Sequence, residues 1–175
     1  MSKQDIKDSI RNIPDFPIKG IQFKDITTAL KHPHLFHQIT EELARHYSGK
    51  GITKVVAIES RGFIIGGALS YKLNAGFVPV RKPGKLPSAT HKVIYDLEYG
   101  KDILEMHLDA LVPEDVVLIH DDLLATGGTA LATLNLVKMF NIKKAYLSFI
   151  IELDFLKGRN RLTPHEIFSL VHFDK

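Results

Sequence analysis

Apolar and polar positions alternate between two rhythms along this chain. Between Pro33 and Tyr47, Leu35, Phe36, Ile39, Leu43 and Tyr47 recur at helical spacing, which predicts one amphipathic helix. Pro33 suits a first helical turn, and Gly49 and Gly51 stop the helix. Val55-Val56-Ala57-Ile58 follows as a short apolar run of the kind found in buried strands. Phe63 to Leu73 reads as a helix and Phe77-Val78-Pro79-Val80 as another strand. Val93–Tyr95 and Leu104–His107 pair around Tyr99-Gly100. Val116–His120 is a strongly apolar strand that leads through a glycine-containing turn into a helix from about Thr129 to Phe140. Ala145–Ile151 and Ile167–Val171 supply the last strands.

Strands that alternate with helices imply crossover connections, hence an α/β fold: a mainly parallel, twisted sheet flanked by helices. Two stretches fall outside that rhythm. Pro14, Pro17 and Gly20 interrupt the first 32 residues, which predicts an extended N-terminal arm attached to the main fold. Arg81–Lys92, rich in Lys, Pro and Gly and without periodicity, predicts a mobile loop. A chain of 175 residues then forms one domain, 1–175, of a size that buries about 70% of its unfolded surface.

Composition narrows the function classes. Hydrophobic residues make up 45% and charged residues 25%, ordinary for a globular protein. There is no cysteine, which removes disulfides, thiolate metal sites and cysteine nucleophiles and fits a reducing compartment. The net charge of +3 is too small to argue for duplex DNA. Met1–Arg11 lacks the apolar core of a signal peptide, and no apolar run reaches membrane-spanning length. A cytoplasmic location with no membrane and no nucleic-acid partner is the expectation.

In parallel sheets, ligands bind beyond the carboxyl ends of the strands. Asp121-Asp122 and then Ala125-Thr126-Gly127-Gly128-Thr129 lie there, at a helix start. Two glycines let the backbone approach a ligand closely. A helix N-terminus offers unpaired N–H groups and partial positive charge to a phosphate. The carboxylates suit sugar hydroxyls or a magnesium ion. One turn therefore offers phosphate donors beside polyol acceptors, as a phosphorylated sugar requires. It is neither a Walker loop nor a dinucleotide fingerprint. An ordinary capped turn with solvated aspartates is the bland alternative. His32, His34 and His37 form a short histidine cluster, read as helix-start residues rather than a metal site.

The Val116–Thr129 stretch resembles the phosphoribosyl pyrophosphate signature of the type I phosphoribosyltransferases. Pro14-Asp15-Phe16-Pro17 with Gly20–Ile26 resembles the N-terminal arm of the adenine-specific members of that family. Ile58–Phe63 resembles their pyrophosphate loop, and Val80–Pro87 with Tyr95–Gly100 their catalytic flap. The order and spacing match from about residue 10 to residue 172. Two positions depart from the pattern: Lys19 stands where a second proline is frequent, and His120 where an aliphatic residue is usual.

The resemblance implies transfer of phosphoribose from phosphoribosyl pyrophosphate to adenine, with Mg2+, giving AMP and pyrophosphate in purine salvage. By position, Ala125, Thr126, Gly127, Gly128 and Thr129 would hold the 5′-phosphate, and Asp121 and Asp122 would face the ribose, with magnesium near them. Ser60, Arg61, Arg81, Lys82 and Lys85 would hold the pyrophosphate. Phe23 would stack on the adenine, with backbone around Gln22 and Lys24 reading its edge. Glu98 would relay the purine proton, with Arg61 and Tyr99 completing the catalytic set. Residues 1–32 would form a hood over the base, and 81–103 a flexible flap. Two alternatives remain at this stage: another purine as acceptor, and a non-catalytic sensor of phosphoribosyl pyrophosphate. The arm favours adenine. The roughly 30 residues before the first expected helix are too few for a helix-turn-helix, which disfavours a DNA-binding sensor. The family forms homodimers, and exposed Phe16 and Ile18 together with the apolar face of the Pro33–Tyr47 helix are compatible with an interface.

Overall fold

The computed structural model describes residues 3–97 and 100–174. At its centre is a five-stranded, wholly parallel sheet of order β4-β3-β7-β8-β9. These strands are Gly76–Val80 (β4), Lys54–Ile58 (β3), Val116–Leu124 (β7), Lys144–Leu153 (β8) and Glu166–Phe173 (β9). The strands are apolar almost without interruption because both faces are covered. Successive side chains serve opposite faces. Val55 and its ladder partner Leu118 join one core, while Val56 and its partner Ile119 join the other.

The first core is closed by helices α3 (Pro33–Tyr47) and α4 (Gly62–Leu73). Leu35, Ile39, Leu43 and Tyr47 of α3 are buried in it, and the Tyr47 hydroxyl donates to the Leu147 carbonyl at 2.6 Å. This corrects an expectation: the apolar face of α3 is spent on the molecule's own core and leaves little for an interface. The second core lies under α5 (Gly128–Lys138), where Ala130, Leu134 and Val137 meet Ile119, Leu147 and Phe149. An antiparallel ribbon of β5 (Thr90–Leu97) and β6 (Gly100–His107) covers the edge of that layer through Leu104 and Met106. The ribbon is tied to the end of β4. The Arg81 N–H donates to the Glu105 carbonyl at 3.0 Å, and the Glu105 N–H to the Arg81 carbonyl at 2.8 Å.

The N-terminal segment departs from the extended arm expected. It begins with a helix, α1 (Lys3–Ser9), continues as a hairpin of β1 (Arg11–Pro14) and β2 (Gln22–Asp25), and ends in the short α2 (Thr27–Leu30). Ile6, Ile10 and Ile26 are buried in the first core, so the segment is built into the main fold as well as reaching over it. The hairpin is fastened at Asp25. Hydrogen bonds from Thr27 and Arg11 hold that carboxyl down at about 2. Two further boundaries differ. Strand β5 begins at Thr90, inside the stretch predicted as loop, and β7 runs on through Asp121 and Asp122 to Leu124 because β8 continues the ladder beside it. Among the described residues no helix is long and apolar enough to cross a membrane.

Candidate active site

The carboxyl ends of β3, β4 and β7 open on one side of the sheet, beneath the β5–β6 ribbon. A cleft of about 350 Å³ lies there, lined by Glu59, Ser60, Arg61, Lys82, Tyr95, Asp102, Asp121, Asp122 and Thr129 with Ile58 and Leu104. A second hollow of about 180 Å³ adjoins it through Arg61 and residues 121–130. Adjacent parallel strands bring Ser60 and Arg61 beside Asp121 and Asp122 although some sixty residues separate them. The crossing is close. A Cβ on Gly62 would meet Asp121 Oδ1 at 2.9 Å and the His120 carbonyl oxygen at 3.1 Å, so only glycine lets α4 begin there.

Arg61 is the hub. Its Nε donates to Asp122 Oδ2 at 2.5 Å, and its guanidinium carbon lies 5.0 Å from the centre of the Phe23 ring. Phe16 meets the same ring edge-on at 5.1 Å. The β1–β2 hairpin is thereby seated against the cleft. The two aspartates differ. Asp122 is buried and paired with Arg61. Burial first, and the neighbouring Asp122 second, push the Asp121 carboxyl well above its ordinary range. Asp121 Oδ1 accepts the backbone N–H of Asp122 at 2.9 Å. Two crowded carboxylates with one cation, Arg61, paired to Asp122 alone form an oxygen-only donor set that a magnesium ion fits, since it would relieve the repulsion left over.

The turn after β7 has the form a phosphate requires. Gly127 adopts φ +81° and precedes α5 with no side-chain oxygen to cap it, which leaves first-turn N–H groups for a ligand. Thr129 is reached by the Tyr95 hydroxyl at 3.4 Å, and Asp102 by the same hydroxyl at 3.5 Å. Burial raises the Tyr95 phenol above its usual value, keeping it neutral. Tyr95 and Asp102 are ladder partners in the ribbon and so share a face.

The flap residues are placed unevenly. Arg81 Nε donates to Glu59 Oε2 at 3.0 Å, and so does the Lys82 N–H at 3.0 Å. Lys82 Nζ pairs with Asp102 at 3.3 Å. Lys85 is exposed, and its carbonyl accepts from Arg81 at 3.3 Å; its ammonium is not among the groups lining the cleft. Gln22 accepts a hydrogen bond from Asn12 at 2.6 Å, and Lys24 Nζ stands 4.4 Å from the centre of the Phe173 ring. Neither side chain lines the cleft, which leaves the backbone of these two residues for the role expected of them. Glu98 and Tyr99 lie outside the described residues.

Sequence reasoning assigned no role to Glu59, Tyr95 or Asp102. Glu59 stands directly after β3, but its partner Arg81 follows β4, more than twenty residues on. Tyr95 and Asp102 become visible once the ribbon register is known. His120, the odd residue in an apolar strand, is buried with Nδ1 3.2 Å from Ser148 Oγ; burial lowers it to about 3, so it is neutral. His32, His34 and His37 are exposed on the surface, and Glu41 stands 3.9 Å from His37, a carboxylate neighbour that the sequence reading did not credit.

This cleft, with an uncapped helix N-terminus after paired aspartates at the carboxyl end of a parallel strand, has a form suited to a phosphorylated sugar. The Phosphoribosyl transferase domain model matches residues 26–163, and the chain belongs to that family. Within it, the similarity is to the adenine phosphoribosyltransferases, which form AMP from adenine and phosphoribosyl pyrophosphate. The adenine phosphoribosyltransferase of Acidobacterium capsulatum is 54% identical over 170 residues, 97% of this chain and 94% of that one. The crystal structure of the Thermoanaerobacter pseudethanolicus enzyme has TM-score 0.95 at 48% identity, covering 98% of this chain and 100% of that one. The Giardia lamblia enzyme complexed with 9-deazaadenine has TM-score 0.95 at 42% identity, covering 100% and 99%.

Proposed function

We propose that the cleft transfers phosphoribose from phosphoribosyl pyrophosphate to adenine with the residues set out above, the chain acting as one domain, 1–175. The observation that carries the reading is the placement of Arg61, bonded to Asp122 on one side and stacked near Phe23 on the other. The carboxylate pair read as facing the sugar is thereby near the aromatic ring read as the base platform, which supports a bond between base and sugar being made here. Ala125–Thr129 take the 5′-phosphate on backbone N–H groups and the Thr126 and Thr129 hydroxyls. Asp121 and Asp122 accept from the ribose hydroxyls. Ser60, Arg61 and the Arg81–Lys85 segment receive the pyrophosphate, with Lys82 released from Asp102 to reach it. Phe23 stacks on the adenine, and the backbone of Gln22 and Lys24 reads its edge.

Cleavage at the anomeric carbon builds oxocarbenium character in the sugar. Negative charge accumulates on the leaving pyrophosphate, where Arg61, Arg81 and Lys82 stabilise it as it develops. Asp121 and Asp122 are the residues that would hold magnesium, which when bound supplies further positive charge for the pyrophosphate. Glu98 takes or relays the purine proton. Residues 1–32 act as a hood and 81–103 as a flap, and closure of the flap, with Tyr99, excludes the water that would compete with adenine. The cytoplasm, where a cysteine-free chain is at home, is the compartment of the reaction. Two copies associate as a homodimer. Phe16 and Ile18 of the arm are about half exposed, and Ile64 and Tyr71, seven residues apart on α4, show one outward apolar face.

A base panel tests the function. The protein is incubated with phosphoribosyl pyrophosphate and magnesium, and adenine, hypoxanthine, guanine and xanthine are offered separately. AMP from adenine alone is the expected result. Another monophosphate as main product would refute the assignment of the hood, and no product with any base would refute catalysis.

A further inference from the structure

We propose that Glu152 and Arg159 are positioning residues for the phosphate turn and act on it through Gly158. This rests on the reading of residues 125–129 as the 5′-phosphate site and adds the part of the molecule that holds that site in place.

After β8 the chain enters two short 3-10 turns, Asp154–Leu156 and Gly158–Leu162. Gly158 packs backbone to backbone on the phosphate turn. A Cβ on Gly158 would overlap the Ala125 carbonyl oxygen and come within 2.9 Å of Gly127 N. A Cβ on Gly127 would come within 2.6 Å of the Gly158 carbonyl oxygen. No side chain fits between the two segments, so the turn adopts whatever position Gly158 dictates.

Gly158 is in turn fixed by the next residue. Arg159 Nε donates to Glu152 Oε1 at 3.0 Å and its Nη2 to Glu152 Oε2 at 2.6 Å, a two-pronged pair. Its remaining Nη1 donates to the Ile167 carbonyl at 3.1 Å. Glu152 is 4% exposed and also accepts from Ser169 Oγ at 2.5 Å. A planar guanidinium held at three points has one orientation. Glu152 itself is the ladder partner of Leu124, the last residue of β7 before the turn. The turn is therefore gripped from two directions: by covalent connection to β7 and by Gly158, which is locked to the neighbouring strand.

A nest of backbone N–H groups binds phosphate only if its members point at one spot. Misplacing bound groups by about 1 Å costs on the order of 100-fold in reaction rate, and a fixed array of N–H donors loses hydrogen bonds to its ligand in the same way. A cushion that sets the turn's position thus governs affinity for the phosphate end of the substrate and not for its pyrophosphate end, which meets Ser60, Arg61 and the flap.

The test compares wild type with Glu152→Gln, which is nearly isosteric, keeps the Ser169 contact and loses the charged fork. Binding of ribose 5-phosphate and, separately, of pyrophosphate with magnesium is measured by calorimetry, together with KM and kcat. Glu152→Gln is expected to weaken ribose 5-phosphate about tenfold and raise KM for phosphoribosyl pyrophosphate similarly, with pyrophosphate binding changed less than twofold. Arg159→Lys, at a half-exposed position, should fall between the two. It carries the same comparison if Glu152→Gln does not fold. Unchanged ribose 5-phosphate affinity in the folded variants, or equal weakening of both ligands, would overturn the proposal. The variant Thr126→Asp separates the underlying reading, because a carboxylate in the turn repels a phosphate held there whether backbone or hydroxyl groups bind it. If it leaves ribose 5-phosphate affinity intact, the phosphate turn has been assigned wrongly, and the proposal falls with it. If it weakens that affinity while Glu152→Gln does not, only the positioning role is wrong.

Discussion

Asp121→Asn should make the empty enzyme more stable and less active. The Asp121 carboxyl is raised chiefly by burial and then by Asp122 beside it, while the attraction of Arg61 is the smallest of the influences on it. An asparagine keeps an Oδ1 that accepts the Asp122 N–H and removes one of two crowded negative charges. Relief of this kind at a functional site is worth about 0.5–2 kcal/mol. At ~2–4 °C per kcal/mol for a chain of this length, the melting temperature should rise by a few degrees. The pH dependence fixes the cause. A carboxyl with a raised folded pKa binds its proton more tightly in the folded state, so wild type loses stability as pH rises from the unfolded carboxylate pKa through the folded one. The asparagine variant has no such loss. Its advantage should be full above the folded pKa of Asp121 and should vanish at low pH, where the wild-type carboxyl is neutral too. Thermal melts from about pH 4.5 to about pH 8.5, with no divalent cation added, measure this directly. AMP formation by the same variant should fall at least tenfold, because a hydrogen bond to a charged acceptor is worth about 1.5–3 kcal/mol. A variant that melts below wild type at about pH 8, or a stability difference that is flat across the range, would refute the repulsion argument.

Glu98→Gln should lower kcat by about 10²–10⁴-fold without abolishing turnover, the range typical of a lost proton relay. Near-wild-type turnover would remove Glu98 from the mechanism. Sedimentation at micromolar concentration should give a dimer, and a single monomeric boundary would rule out association through the arm and the outer face of α4.

Much of the site was legible in the residue order. The turn proposed for the phosphate could be picked out because its pattern is local: an apolar strand, two carboxylates, two glycines and a helix start follow one another in fourteen positions. Helix α3 has the predicted bounds, Pro33–Tyr47, because its pattern spans four turns between a proline and two glycines. Short elements escaped notice. Helix α1 carries only Ile6 as a buried apolar residue, with Ile10 just past its end, too little for a periodicity argument, and it is held because both side chains enter a core assembled mostly from residues far along the chain. Strand β7 runs past its apolar run because hydrogen bonds to β8, not side-chain character, decide where a strand ends.

The amino-acid sequence by itself determined the alternation of helices and strands, the two-sided cover of the sheet, the glycine turn that opens a helix after the paired aspartates, and the family. Each of these depends on the periodicity or spacing of neighbours. Only the tertiary structure decided that Arg61 lies between Phe23 and Asp122, that Lys82 rests on Asp102 while Lys85 stays in solvent, and that Gly158 cushions Gly127. The Lys82–Asp102 pair spans the flap, and the other contacts join residues 31 to 61 positions apart. They exist because strand order β4-β3-β7-β8-β9 stacks distant loops at one end of the sheet, and that order is set by which faces can be buried together, a property of the whole chain rather than of any stretch of it.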